Sequence, residues 1–269
     1  MSTSEELKQI VKRKYAEIAL QDATCNGSSC CGATPLSKDV YNIMMDDYSE
    51  LDGYNADADL ALGCGLPTKF AHIDLGDTVI DLGSGAGNDC FVARHETGET
   101  GHVIGIDFTE AMIQKARENA EKLGCQNVEF RQGDIEEMPV PDNTADVIIS
   151  NCVLNLVPNK KKVIAEIFRT LKPGGHFCIS NIVLQGDLPT SFLQEAALYA
   201  GCVSGAIQKN DYLDFIKDAG FKNITIQKEK TVTIPDDILT EYLDEEGLGK
   251  FKKSTPGIFS ITVYAEKPS

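Results

Sequence analysis

Short apolar runs alternate with amphipathic stretches through the middle of the chain, and this alternation predicts strands separated by helices. Predicted strands end at residues 80, 107, 131, 151 and 180, and an amphipathic stretch at 108–123 predicts a helix between two of them. A further helix is predicted at 5–20, another at 211–221, and two alternating strands at 224–227 and 259–264. Strands that alternate with helices predict an α/β fold with a doubly wound, largely parallel sheet.

A glycine-rich turn joins the first predicted strand to the helix that follows it. Asp81-Leu82-Gly83-Ser84-Gly85-Ala86-Gly87-Asn88-Asp89 has the spacing G-x-G-x-G, which differs from the G-x-G-x-x-G of a dinucleotide site. The run holds no Gly-Lys-Ser/Thr, which excludes a phosphate-binding P-loop. A carboxylate just before the glycines repels a pyrophosphate but suits an ammonium group. These features favour S-adenosylmethionine as the ligand.

Two more acids and an amide follow later strands. Asp107 ends the second strand, where doubly wound folds place the carboxylate that holds a ribose diol. Asp134 follows the third strand and can accept a hydrogen bond from an adenine amino group. Asn151 ends the fourth strand, at the edge of the sheet where open α/β folds bind ligands.

The stretch from about 72 to 182 contains these motifs, and through them it resembles the class I S-adenosylmethionine-dependent methyltransferases. The resemblance implies a Rossmann-like, seven-stranded doubly wound sheet. It places Asp81 and the glycine turn at the methionine part of the cofactor, Asp107 at the ribose and Asp134 at the adenine. The complete set of residues predicted to bind the cofactor is Asp81, Gly83, Ser84, Gly85, Gly87, Asp107, Phe108, Met112, Gly133, Asp134, Ile135 and Asn151.

The remaining segments predict additions to this cofactor-binding core. We expect residues 1–71 to form an N-terminal helical extension with a cysteine-bearing loop that contributes to the acceptor site. We expect residues 183–269 to supply an acceptor-binding insertion and the last strands of the sheet.

Charge and hydropathy narrow the class of acceptor. The formal net charge is −16, and this argues against nucleic acid, whose binding relies on basic patches. The run 160–162 of three lysines begins a helix and predicts a solvated face. No apolar run approaches the ~20 residues that span a bilayer, and no apolar signal region follows the polar amino terminus. We therefore expect a cytoplasmic protein that acts on a small molecule, without a nucleic-acid or membrane partner. We also expect it to be a monomer.

The chain has nine cysteines, and three of them have positions typical of packing residues, namely Cys90, Cys125 and Cys178. The others fall at four locations that packing explains less well. They are the polar loop with Cys25, Cys30 and Cys31, the Gly-Cys-Gly turn with Cys64, the end of the fourth strand with Cys152, and the inserted segment with Cys202. No C-x-x-C pair occurs and the four histidines are scattered, so a local zinc knuckle is not predicted. Soft thiolates select thiophilic centres, and trivalent arsenic is one of them.

The Tyr-Ser-Glu-Leu segment at 48–51 and the Cys-Cys-Gly triplet at 30–32 resemble the bacterial and archaeal branch of the arsenite methyltransferases. Three further segments resemble this family. They are the Ser-Asn-Cys-Val motif at 150–153, the Leu-Gly-Cys-Gly turn at 62–65 and the Gly-Cys-Val-Ser-Gly segment at 201–205. The resemblance implies that Cys64, Cys152 and Cys202 bind arsenic(III) as the substrate, and that Cys31 or Cys30 takes part in turnover. Two departures matter: the amino-terminal loop offers three cysteines where some relatives have one, and no cysteine follows Cys202.

The resemblance also implies a mechanism and leaves two alternatives. Methylation oxidises arsenic formally to the pentavalent state, a cysteine pair returns two electrons, and thioredoxin or glutathione resets the thiols. Because arsenic carries a lone pair and no proton, a general base is not needed. One alternative is a methyltransferase for a quinone or sterol-like acceptor with structural cysteines. The other is a non-catalytic, thiol-based metalloid-binding protein.

Overall fold

The protein forms one seven-stranded sheet. The computed structural model describes residues 4–20, 46–186, 205–233, 249 and 257–269. In chain order the strands are β1 (Thr78–Leu82), β2 (His102–Asp107), β3 (Val128–Gln132), β4 (Ala145–Asn151), β5 (Leu171–Gln185), β6 (Lys222–Thr231) and β7 (Gly257–Glu266). Their order across the sheet is β3-β2-β1-β4-β5-β7-β6. The first five strands are parallel, and β7 runs antiparallel between β5 and β6.

Helices cover both faces of the sheet, as a doubly wound fold requires. The described α-helices are α1 (Ser4–Leu20), α2 (Asn88–Thr97), α3 (Glu110–Leu123), α4 (Lys160–Thr170) and α5 (Lys209–Asp218). Two short 3₁₀ helices lie at Thr68–Phe70 and Leu154–Leu156. The apolar faces of α2 and α3 pack on one side of the sheet, and those of α4 and α5 pack on the other. None of the described helices is both long and apolar enough to cross a membrane.

The central strands are nearly continuous apolar runs because both of their faces are buried. All but one of the residues of β1 are buried, and the same holds for β2. The edge strand β6 contrasts with them, since its residues are exposed or only half-buried. Parallel strands with helices on both faces have this composition. The α/β, seven-stranded doubly wound fold expected from the sequence is confirmed.

The structure adds two features to the predicted organisation. The boundary expected after residue 182 falls inside β5, which continues to Gln185 beside β7, so the sheet is continuous across it. The N-terminal helix α1 packs against α3, and Lys115 donates to the Ala19 carbonyl at 3.3 Å. The first helix is therefore part of the body of the molecule.

Candidate active site

The glycine turn opens a cleft at the carboxyl edge of the sheet. β1 ends at Leu82, α2 begins at Asn88, and the turn between them has Gly83 at φ +70°. A β-carbon on Gly83 would lie 2.3 Å from the Val153 side chain, so this position has no room for one. Because Gly83 has no side chain, the turn can pack closely against the residues that follow β4.

The cleft has a volume of about 1030 Å³, counting the part open to solvent. Ten of the twelve residues predicted to bind the cofactor line it: Asp81, Gly83, Ser84, Gly85, Asp107, Phe108, Gly133, Asp134, Ile135 and Asn151. The other two lie behind this wall. Gly87 caps α2, and Met112 is fully buried. A helix that covers a sheet turns apolar side chains such as that of Met112 into the core.

Three carboxylates give the cleft its electrostatic character. Burial raises the pKa of Asp81 well above its usual range and also raises that of Asp107. Burial likewise raises the pKa of Asp89 to about 6. Among the described residues that line the cleft, Lys8 is the one cationic side chain. A ligand with positive charge next to these acids would offset the cost of burying them.

The Asp107 carboxylate is held by backbone groups. The Gly85 N–H donates to its Oδ2 at 3.1 Å, and the Thr109 N–H donates to its Oδ1 at 2.8 Å. These bonds fix the carboxylate across the glycine turn, where the sequence placed the group that binds a ribose.

The N-terminal helix closes the other end of the cleft. Lys8 Nζ lies 2.6 Å from Asp134 Oδ2 and 2.8 Å from Glu136 Oε2. Asp134 Oδ1 accepts the Glu136 N–H at 2.8 Å. The predicted adenine-binding acid therefore also anchors α1, a role that the sequence did not reveal because Lys8 is 126 positions away.

Two of the predicted thiol ligands come to the same end of the sheet. Cys152 lines the cleft with φ +61°, and its N–H donates to the Ser180 carbonyl at 2.8 Å. Cys64 is buried beside Gly63, which also lines the cleft. The Cys64 N–H donates to Asn151 Oδ1 at 2.9 Å. Asn151 directly precedes Cys152, so its side chain links the Cys64 backbone to the segment that carries Cys152.

The remaining cysteines divide into two groups. Cys90 and Cys178 are fully buried, as expected of packing residues, and burial raises the pKa of both thiols. Cys90 also donates from Sγ to Asp81 Oδ2 at 3.2 Å, so its thiol supports a cleft acid. Cys125 is half-buried after α3. Four predicted site cysteines lie outside the described residues, namely Cys25, Cys30, Cys31 and Cys202.

Comparison with known proteins identifies the family. Residues 73–220 match a family model described as a methyltransferase domain. An arsenite methyltransferase of Halobacterium salinarum is 38% identical, over 98% of this chain and 68% of that one. An arsenite methyltransferase of Aquipseudomonas alcaligenes is 31% identical, over 95% of this chain and 72% of that one. The chain belongs to the arsenite methyltransferase family.

A solved structure agrees with this assignment of the arsenite methyltransferase family. CrArsM, an arsenic(III) S-adenosylmethionine methyltransferase from Chlamydomonas reinhardtii, superposes with a TM-score of 0.66 at 30% identity. The alignment covers 88% of this chain and 75% of that one. The resemblance drawn from the sequence motifs is confirmed.

Two cleft residues of this family member were missed by sequence reasoning. The Asp89 side chain lies in the cleft, although its place in the first turn of α2 is equally typical of a helix-stabilising acid. Tyr48 is buried in the cleft wall, and its hydroxyl lies 2.9 Å from both Asp89 oxygens. The one available signal was the Tyr-Ser-Glu-Leu segment at 48–51, which we associated with the family but not with a role.

Proposed function

We propose that this protein transfers a methyl group from S-adenosylmethionine to arsenic(III) bound by the thiolates of Cys64, Cys152 and Cys202. One observation carries the proposal beyond family membership. Asn151, the neighbour of Cys152, bonds directly to the backbone of Cys64, so two thiol-bearing segments are joined at the edge of the cofactor cleft. An enzyme with merely structural cysteines has no need for this juxtaposition.

The cleft fits the proposed methyl donor. S-adenosylmethionine carries an ammonium and a sulfonium group, and the buried Asp81 and the half-buried Asp89 lie in a cleft with few cations. Asp107 would bind the ribose, and Asp134 with Ile135 would lie at the adenine. When bound, the sulfonium supplies an electrophilic methyl group.

The residues of the chain have a limited set of tasks in this chemistry. The thiolates hold the arsenic atom and keep its lone pair directed at the methyl group, since placement accounts for much of such a rate enhancement. No proton leaves the arsenic atom, so no general base is required. The buried cleft wall around Asp81 and Tyr48 excludes water from the reacting atoms.

A reductive half-reaction would complete the cycle. Methyl transfer leaves arsenic formally pentavalent, and two thiols that form a disulfide return two electrons to it. We assign one of these thiols to Cys31 or Cys30 in the amino-terminal loop. A dithiol protein such as thioredoxin, or glutathione, would then reduce the disulfide by thiol exchange. We propose a monomer, since each role falls to residues of one chain.

The test is a turnover assay with resolved arsenic species. Purified protein is incubated with arsenite, S-adenosylmethionine and a thiol reductant, and the products are separated by chromatography with elemental detection. We expect methylated arsenic from the unmodified protein and none from the Cys152→Ser variant. The matched control is Cys125→Ser, which removes a half-buried thiol after α3 and should leave turnover unchanged.

Three outcomes would contradict all or part of the proposal. Unchanged arsenite despite measurable cofactor binding would favour an organic acceptor such as a quinone. Arsenite binding without any turnover would favour a metalloid-binding protein. Full activity in both Cys64→Ser and Cys152→Ser would refute the thiolate site while leaving arsenic methylation in place.

A further inference from the structure

A hydrogen-bonded network of Asp89, Tyr48 and Asn151 lies behind the two predicted thiol ligands. The Asn151 amide contacts the Gly-Cys-Gly turn at two points. Its Oδ1 accepts the Cys64 N–H at 2.9 Å, and its Nδ2 donates to the Gly65 carbonyl at 2.8 Å. The amide thus holds the main chain on both sides of Cys64.

The close approach of this turn to its surroundings leaves it little freedom. A β-carbon on Gly65 would lie 2.5 Å from Ser180 Oγ, so the turn packs directly on β5. The Cys64 carbonyl accepts a hydrogen bond from the Ser260 hydroxyl of β7. Together with the Asn151 contact, these constraints fix the Cys64 backbone from three directions.

Asp89 and Tyr48 determine which way the Asn151 amide points. The Tyr48 hydroxyl donates to the Asp89 carboxylate and accepts from Asn151 Nδ2. Asn151 Nδ2 also lies 3.3 Å from Asp89 Oδ2. A carboxylate can only accept, so it draws the amide nitrogen to its side and leaves Oδ1 facing the Cys64 N–H. If the Asn151 amide were flipped, its Nδ2 group would face the Cys64 N–H, and two hydrogen-bond donors would oppose each other.

We propose that Tyr48 and Asp89 are positioning residues that act through Asn151 to fix the separation of Cys64 from Cys152 before arsenic binds. Neither residue needs to touch arsenic in this role. Partners that orient ligands in this way commonly change affinity by about tenfold or more when they are removed. The inference rests on the proposed function, because it assumes that both thiols bind the substrate.

The primary test compares arsenite affinity with cofactor affinity in the Tyr48→Phe variant. Arsenite binding is measured without cofactor by equilibrium dialysis with elemental detection, and S-adenosylmethionine binding by calorimetry. We expect arsenite affinity to fall about tenfold and cofactor affinity to change by less than about twofold. The matched control is Tyr264→Phe, which removes a hydroxyl bonded to Glu266 far from the cleft and should alter neither. Unchanged arsenite affinity in Tyr48→Phe would overturn the proposal.

A double-mutant cycle separates positioning from a general loss of structure. If Tyr48 acts on Cys64, then Tyr48→Phe should have no further effect on the residual arsenite affinity of the Cys64→Ser variant. Equal losses in both backgrounds would refute the network. If Tyr48→Phe does not fold, Asp89→Asn serves in the arsenite measurement alone, because Asp89 also faces the cleft in which the positively charged cofactor would bind. An unmodified protein that fails to bind arsenite would refute the proposed function itself, whereas binding that the variants do not alter refutes the network alone.

Discussion

Replacement of Asp89 by asparagine should stabilise the ligand-free protein at neutral pH. Burial raises the pKa of this carboxyl from 3.8 to about 6. The folded state therefore binds the proton more tightly than the unfolded chain, and raising the pH through this window favours unfolding. The loss in the free energy of unfolding caused by the ionised Asp89 is absent below about pH 3.8, grows as the pH rises and is complete above about pH 6.

The size of the effect follows from the shift in pKa. About two units correspond to roughly 3 kcal/mol at most, because one unit is worth about 1.4 kcal/mol. The hydrogen bonds from Tyr48 and Asn151 already lower this pKa and are therefore included in the shift. An amide replaces the hydrogen bonds of the neutral carboxyl imperfectly, which reduces the expected gain to about 1–2 kcal/mol. For a chain of this size the melting temperature should rise by about 2–8 °C.

Urea unfolding of the ligand-free protein at two pH values measures this gain in the free energy of unfolding. We expect the full gain at pH 7.5 and about half of it at pH 5, which remains above the pI of 4.6. The control is Asp52→Asn, which removes the same charge from an exposed side chain and should shift stability by less than about 0.5 kcal/mol at both values. A gain that does not depend on pH, or a loss at pH 7.5, would refute the reasoning.

Three further predictions test other parts of the cleft. Gly65→Ala should lower the free energy of unfolding by about 1–3 kcal/mol and weaken arsenite binding, because the new β-carbon would lie 2.5 Å from Ser180 Oγ. Denaturant unfolding would measure the first effect and dialysis the second. A variant with unchanged stability and binding would contradict the close packing. Asp107→Asn should weaken S-adenosylmethionine binding about tenfold in calorimetry, since a charged hydrogen-bond acceptor is lost, while arsenite binding stays unchanged. Lys8→Met should speed amide hydrogen exchange in α1 but not in β1, because the part-buried ion pairs to Asp134 and Glu136 are lost; equal exchange in α1 would mean that these pairs do not anchor it.

Most of the fold could be predicted because its signals are local. Most of the parallel strands contain a short apolar run, and α3, α4 and α5 have an amphipathic period. The extent of β5 was underestimated, because its first residues include Pro173 and Gly174, which are typical of a turn. Pairing with β7 from His176 to Gln185 extends this strand beyond its apolar segment. The local sequence pattern does not reveal tertiary strand pairing of this kind.

The residues that line the cleft could be predicted for the same reason, and the arrangement around the thiols could not. The glycine turn and the strand-end acids follow one another at family-specific spacings. By contrast, Asn151 and Cys64 are 87 positions apart, and Tyr48 lies 41 positions from Asp89. Nothing in the sequence near either residue specifies these contacts, because they arise only when the sheet is assembled. Sequence motifs therefore located the thiols, whereas the groups that fix them required the structure.

The hydrogen bond from Ser260 to the Cys64 carbonyl has a consequence for the order of synthesis. β7 is made after every other described strand, yet it inserts between β5 and β6 and supplies this contact. A nascent chain on the ribosome can expose the glycine turn and its acids long before Ser260 emerges, since synthesis adds about 5–20 residues per second. During that interval Cys64 and Cys152 are present without one of the contacts that fix the Cys64 backbone. A metalloid that binds such a chain would meet incompletely positioned thiols, so translation in the presence of metalloid should yield less active protein than addition of the metalloid after folding.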